Sequence, residues 1–335
     1  MSFSRRLVSE LRGRFLGCAA MESRFGSTQI DTLAVLRDER HTLVNTNDCP
    51  YPLARQMLPR IRAEYGRIDF LLVGHSGAGP YPQCFANLSL QEKKAAAERK
   101  KLQFLEQGAR YIRDLGPRYV MPFAGQYTLG GRLSALDELR GVSEDEEAQA
   151  YFADACRVSS ASCVLLNSGT EFDLSSGKGS ATYVPTDLAA KRAYRDQVLV
   201  GRRYTFEDDE LPSQDDLEPL LQAAFARLTR KRLEVGFSNH TVTYVACGDD
   251  YFARVPMFAR VPMNGGELKI QRGGPTEDAE PCVTFATDPR LLARILKGPR
   301  FAHWNNAEIG SHIRFDRRPD NFDRALYHCM NFFHA

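Results

Sequence analysis

Three short apolar runs, each stopping at a loop of Gly, Pro and polar residues, constrain this fold more than any other feature. They are Thr42-Leu-Val-Asn45, Ile68-Asp-Phe-Leu-Leu-Val73 and Arg118-Tyr-Val-Met-Pro-Phe123. Residues 31–47 read as a hairpin, with 37–40 as its turn. Between the runs, Leu53, Met57, Leu58 and Ile61 recur at helical spacing and the pattern ends at Gly66. A longer charged, amphipathic helix is predicted over 90–115, stopped by Gly116-Pro117. Strand, helix, strand, helix, strand is the order of a layered α/β unit. The nearly all-apolar run 68–73 suits a strand covered on both faces.

If the three strands are parallel neighbours, their following loops leave one edge of the sheet, where ligands of such folds collect. That edge would gather Asp48, His75, Ser76, Tyr81, Gln126 and Tyr127. Asp48 and His75 are the candidate catalytic residues. A carboxylate and an imidazole there could ligate a metal or exchange protons, and Asp48 is the candidate metal ligand. The structural alternatives are a turn-capping role for Asp48 and a hydrogen-bonded loop histidine for His75. Cys49 and Cys84 also lie in these loops, but a carboxylate beside Cys49 raises a thiol pKa and disfavours a nucleophile.

The chain has 335 residues, enough for two domains or one large one with an appendage. Its net charge of +2 gives no bulk field to draw nucleic acid or an anionic membrane. No apolar run approaches the roughly 20 residues of a membrane span. The opening residues read as a short amphipathic helix with Phe3, Leu7 and Leu11 on one face, not a secretory signal. Eight dispersed cysteines without a Cys-x-x-Cys pair suit reduced thiols, and hence a cytoplasmic setting.

Beyond the first unit (1–142), residues 143–232 read as mostly helical, with a loop at 167–186. Residues 233–335 read as a small α+β region in which Asp288-Pro289 opens a helix that Gly298-Pro299 closes. A polar cluster surrounds the only tryptophan, in His303-Trp-Asn-Asn-Ala-Glu-Ile-Gly-Ser-His312. The two histidines are too far apart to share one helical turn and are expected to hydrogen-bond structurally. The aromatic tail 327–334 is expected to dock on the body.

Three segments together, Asn45-Thr-Asn-Asp-Cys-Pro-Tyr51, Gly77-Ala-Gly-Pro-Tyr-Pro-Gln-Cys84 and Met121-Pro-Phe-Ala-Gly-Gln-Tyr-Thr-Leu-Gly-Gly131, resemble metallo-β-lactamase-fold proteins. The likeness is to those near CMP-N-acetylneuraminate hydroxylase and its bacterial relatives, and the stretch 304–312 looks like theirs too. It covers about residues 16–140 and the last 50 or so.

The resemblance implies a partial αββα sandwich whose metal site lies at its edge. Asp48 matches that family's strand-end Asp, which bridges two metals. The family's final His would fall near 123–125, where this chain has Phe, Ala and Gly, and His75 does not inherit that role. The His-x-His-x-Asp-His loop of the family's first half is absent from the sequence, as are Rieske Cys/His pairs.

The resemblance therefore leads to a metal-dependent hydrolase or hydroxylase-like oxidoreductase with an incomplete zinc or iron site. A partner polypeptide, or another copy of the chain in a homo-oligomer, would complete it. A polar, anionic small-molecule substrate would lie against Ser76, Tyr81, Gln126, Tyr127 and Arg132. The competing reading is an inactive binding or assembly subunit that keeps the loops only as fold determinants.

Overall fold

The computed structural model describes residues 32–248, 257–272 and 281–335. The amphipathic stretch at Phe3, Leu7 and Leu11 lies outside the described residues. The chain is a mixed α/β protein built on two five-stranded sheets.

The first sheet has the order β1-β2-β3-β4-β5. β1 (Ala34–Arg37) and β2 (Thr42–Asn45) form the antiparallel hairpin, whose tight turn is held by Asp38 Oδ1 accepting from the Arg40 and His41 amides. β2, β3 (Phe70–Gly74), β4 (Tyr119–Phe123) and β5 (Ser162–Cys163) then run parallel. The first crossover passes through the short helices α1 (Tyr51–Ala54) and α2 (Leu58–Tyr65), and the second through α3 (Leu90–Leu115). α3 starts where Ser89 and Glu92 close a reciprocal cap, and it ends at Gly116 in the left-handed conformation.

Alternation along each strand sends Val44, Leu71, Val73 and Val120 into a core with Ile112 and Leu115 of α3 and with Phe152 of α4 (Asp145–Ser159). The opposite face is covered in part. Phe172, on the hairpin β6 (Phe172–Asp173) and β7 (Lys178–Gly179), packs on Phe70 and Tyr119 with ring centroids 5.4 and 5.0 Å away. Beyond that patch Leu43, Leu72 and Met121 are only half-buried, and Leu36 on β1 is 57% exposed. The sheet therefore carries one complete apolar interface and one incomplete one.

The second sheet has the order β10-β9-β8-β11-β12. Its strands are β8 (Val242–Cys247), β9 (Met257–Val261), β10 (Lys269–Arg272), β11 (Cys282–Thr287) and β12 (Arg314–Arg318). β8 and β11 pair in parallel and the other neighbours antiparallel. Its core takes in α6 (Gln214–Val235), α7 (Pro289–Leu296), α8 (Trp304–Ile309) and α9 (Arg324–Met330). The helical stretch 143–232 is thus divided. α4 belongs to the first sheet and α6 to the second, while α5 (Leu188–Gln197) lies between them in sequence and buries none of its residues.

One seam joins the two sheets. Phe85 bridges Phe315 of β12 in parallel; the Ala86 amide donates to Phe315 O and the Phe315 amide to Cys84 O. Tyr81, Phe85, Phe315 and Tyr327 form a continuous aromatic stack. The loop 77–84 thereby meets the segment 304–312, since Gln83 Nε2 donates to Ser311 Oγ at 3.0 Å. Trp304 is buried and donates to Phe333 O, and the tail docks through the fully buried Phe333.

Candidate functional site

β2, β3 and β4 are parallel, so the three Gly- and Pro-bearing loops all leave at their carboxyl ends. They touch one another there. Thr46 Oγ1 accepts from the Gly74 amide at 3.0 Å, and a side chain at Gly74 would meet Asn47 O, so the Asp48 loop lies against the start of the His75 loop. Ser76 Oγ donates to Gly125 O. The His75 ring lies flat against Gly125, where a Cβ would come within 2.5 Å of Cε1 and Nε2. The small residue in the third loop is what makes room for the imidazole of the second.

Asp48 sits at this edge with its side chain exposed. His75 is fully buried. Its Nδ1 lies 3.0 Å from Ser143 Oγ, and its Nε2 lies 3.1 Å from Asp145 Oδ1, out of line for a good hydrogen bond. Asp145 opens α4, and its contact with His75 is the largest influence holding its carboxyl below the ordinary value; burial opposes this, and Gln126 and Lys191 assist. Hydroxyl and carboxylate thus bracket the imidazole, but Ser143 is fully buried and cannot present a nucleophile to an outside substrate. The two contacts fix the His75 ring.

The other predicted residues divide between two places. Gln126 is exposed, and its Oε1 accepts from Lys191 Nζ at 3.1 Å; the same ammonium pairs with Glu144 at 2.7 Å. Tyr127 lies under the Arg140 guanidinium, 4.8 Å from ring to Cζ. Its hydroxyl has no hydrogen-bond partner among the described residues, and burial pushes its pKa up to about 12. Asp48, His75, Ser76, Gln126 and Tyr127 therefore belong to one connected edge.

Tyr81 and Arg132 face elsewhere. Tyr81 packs edge-on to Phe85, 5.0 Å between centroids, and its carbonyl accepts from the half-buried Lys100 ammonium. Arg132 donates to Glu207 Oε1 at 3.1 Å and to the fully buried Asp288 Oδ2 at 2.9 Å. There Asp288 caps α7 and binds Arg290. Burial pushes its carboxyl pKa up, but the Arg290 and Arg132 hydrogen bonds outweigh that and hold it low.

Among the described residues no group of three or more His, Cys, Asp or Glu is disposed to hold a metal ion. Asp48 offers a single accessible carboxylate, and His75 is enclosed by Ser143 and Asp145. By themselves these residues do not fit a zinc or iron site. Cys84 is buried, and burial pushes its thiol up to about 12, which disfavours a nucleophilic role. His303 accepts from the Asn305 amide as the cap of α8. His312 is packed against Tyr204, and burial, with Arg132 nearby, lowers its pKa to about 4.

Sequence reasoning missed Ser143, Asp145 and Lys191. The acidic run at 144–147 signals a helix start, but nothing local shows that its Asp145, or Ser143 just before it, closes on His75.

Comparison with known proteins finds no matching family model, no matching curated protein and no matching solved structure. No helix of the described residues is long and apolar enough to cross a membrane.

Proposed function

We propose that this chain is one part of a metallo-β-lactamase-like, metal-dependent hydrolase or hydroxylase whose metal site is completed by a second polypeptide or a second copy of the chain. The observation that carries this reading is the placement of Asp48. It is an exposed carboxylate at the carboxyl edge of a parallel sheet, against the loop of Gly74 and beside a sheet face left half-covered at Leu43, Leu72 and Met121. The Asn45–Tyr51, Gly77–Cys84 and Met121–Gly131 sequences carry the family resemblance. In this reading Asp48 supplies one ligand, the partner supplies the histidines, and the partner's own sheet covers the open face. Gln126 and Tyr127 border the substrate, a polar anionic small molecule; Ser76 orders the loop above them.

The test is metal analysis of the purified chain, alone and with candidate partners. Stoichiometric zinc or iron in the complex, lost on Asp48→Ala, supports the reading. The absence of metal from every complex, including one that forms tightly, rejects it.

The enclosed His75 and the lack of a ligand group around Asp48 favour a second reading, an assembly subunit with no chemistry of its own. Under it, Asp48→Ala leaves complex formation and the activity of the complex unchanged.

A further inference from the structure

A cleft of about 370 Å3 opens beside the His75–Asp145 pair, between α3, the 3-10 segment Gly131–Leu139 and α5. Its volume is within the range of small-molecule sites, roughly 300–1,000 Å3. Six basic side chains line it: Lys94 and Lys101 from α3, Arg140, and Lys191, Arg192 and Arg195 from α5. The four acids on its walls are Glu98, Asp137, Glu138 and Glu144.

Those acids are already engaged. Lys101 takes Glu98, Lys191 takes Glu144, Arg140 and Arg195 share Asp137, and Arg195 reaches Glu138. Lys94 and Arg192 remain, on facing walls, with no ion pair among the described residues. The cleft thus holds two basic groups without an ion pair among the described residues, within a rim whose other four bases are paired to acids. A guanidinium fork and an ammonium together match a phosphate better than a lone carboxylate.

The α5 wall is unusual. It buries no residue and is held to the body chiefly by Lys191 and Arg195, through pairs with Glu144, Asp137 and Glu138 at 2.7 to 3.5 Å. The pairs to Glu144 and Asp137 are partly buried, but no apolar residue is buried behind them, and an element without a packed core opens more readily than one that has it.

We propose that this cleft binds a small phosphate-bearing molecule, anchored between Lys94 and Arg192, with α5 closing over it as a movable wall. The Lys191 ammonium bonds both Glu144, on the cleft wall, and Gln126, at the sheet edge, so an occupant touches the network that orients Asp145 and His75. The site does not depend on a metal at Asp48.

The test is a calorimetric titration of the full chain with inorganic pyrophosphate at low ionic strength, with malonate as a dicarboxylate control. The expected result is one-to-one binding that is tighter for pyrophosphate. Lys94→Ala weakens it about tenfold and Lys94→Ala/Arg192→Ala about a hundredfold. Both side chains are exposed, and circular dichroism verifies that the variants fold. Hydrogen exchange at the α5 amides slows when pyrophosphate is bound. The Asp48→Ala chain binds pyrophosphate as the parent does, so failure of the metal reading and failure of this one are separate results. Non-saturable binding, equal affinity for malonate, or unchanged affinity in the double variant overturns the proposal.

Discussion

A single missing Cβ governs the edge of the first sheet. Gly125 lies so close to His75 that any side chain there must displace the imidazole. Its surroundings are the His75 ring and the Ser76 hydrogen bond, neither of which can retreat without losing a partner. Gly125→Ala is expected to destabilise the protein by about 1–3 kcal/mol, as overpacking of a filled site does, and denaturant unfolding measures it. An unchanged midpoint would show that the ring is free to move.

The Asp145 carboxyl gives the same contact a pH signature. Its folded pKa lies below the ordinary 3.8, chiefly through His75. A carboxyl lowered on folding stabilises the protein at pH above its unfolded value, and that stability is lost as pH falls through the folded value. Asp145→Asn should therefore flatten part of the acid limb below about pH 4 and leave its shape near pH 7 unchanged. Urea midpoints across that range are the readout; parallel acid limbs in variant and parent would exclude the Asp145 carboxyl from the acid response.

At the scale of elements, α3 shows how local rules and distant packing share the work. Its first turn is written in the sequence as Ser89-x-x-Glu92, and the structure closes both bonds of that cap: the Glu92 amide donates to Ser89 Oγ and the Ser89 amide to Glu92 Oε2. Ser89→Ala is expected to cost about 1 kcal/mol, read from the shift of the denaturation midpoint, with Glu92→Ala close behind and the double variant less than additive.

This helix, the hairpin, the three parallel strands and the Gly116 stop were legible because apolar period, cap and breaker residues agree there. α5 is legible only as a helix. Asp187 caps it, yet its charged face says nothing of the cleft it walls. The division of 143–232 between two sheets was illegible for a related reason. α4 and α6 are both ordinary amphipathic helices, and only sheet partners far away in sequence decide which core each enters. At the site, the convergence of the loops followed from strand order. The diversion of Tyr81 and Arg132 from that edge did not: Tyr81 packs on Phe85, which itself stacks on the distant Phe315, and Arg132 pairs with Asp288, 156 residues away.

The whole molecule turns on how two sheets behave as one. Besides the Phe85–Phe315 bridge, a charged node ties the segment after β4 to the second sheet's helix α7. Asp288 is fully buried and takes hydrogen bonds from Arg132 at 2.9 Å and from Arg290 at 2.8 Å. Glu207 closes the node from a third segment, bonding Arg132 through Oε1 and Arg290 through its carbonyl. Removing one member of a buried charge cluster costs more than the cluster contributes, because the remaining charges lose their compensation in a poorly solvated place. Asp288→Ala takes the shared carboxylate from two guanidinium groups, leaving Glu207 to face both, and also uncaps α7. The expected loss is about 3–5 kcal/mol. A neutral replacement of all four charges, Arg132→Met with Asp288→Ser, Arg290→Leu and Glu207→Gln, should recover part of it, since the serine retains the cap and no charge in the cluster is left to solvate.

Calorimetry distinguishes a local defect from a broken link. If the node couples the sheets, the parent is expected to unfold in one transition and Asp288→Ala in two, the first sheet and α3 in one, the second sheet with α6 and α7 in the other. A lower but still single transition would mean that the aromatic seam alone, through Tyr81, Phe85, Phe315 and Tyr327, is enough to hold the sheets in one cooperative unit.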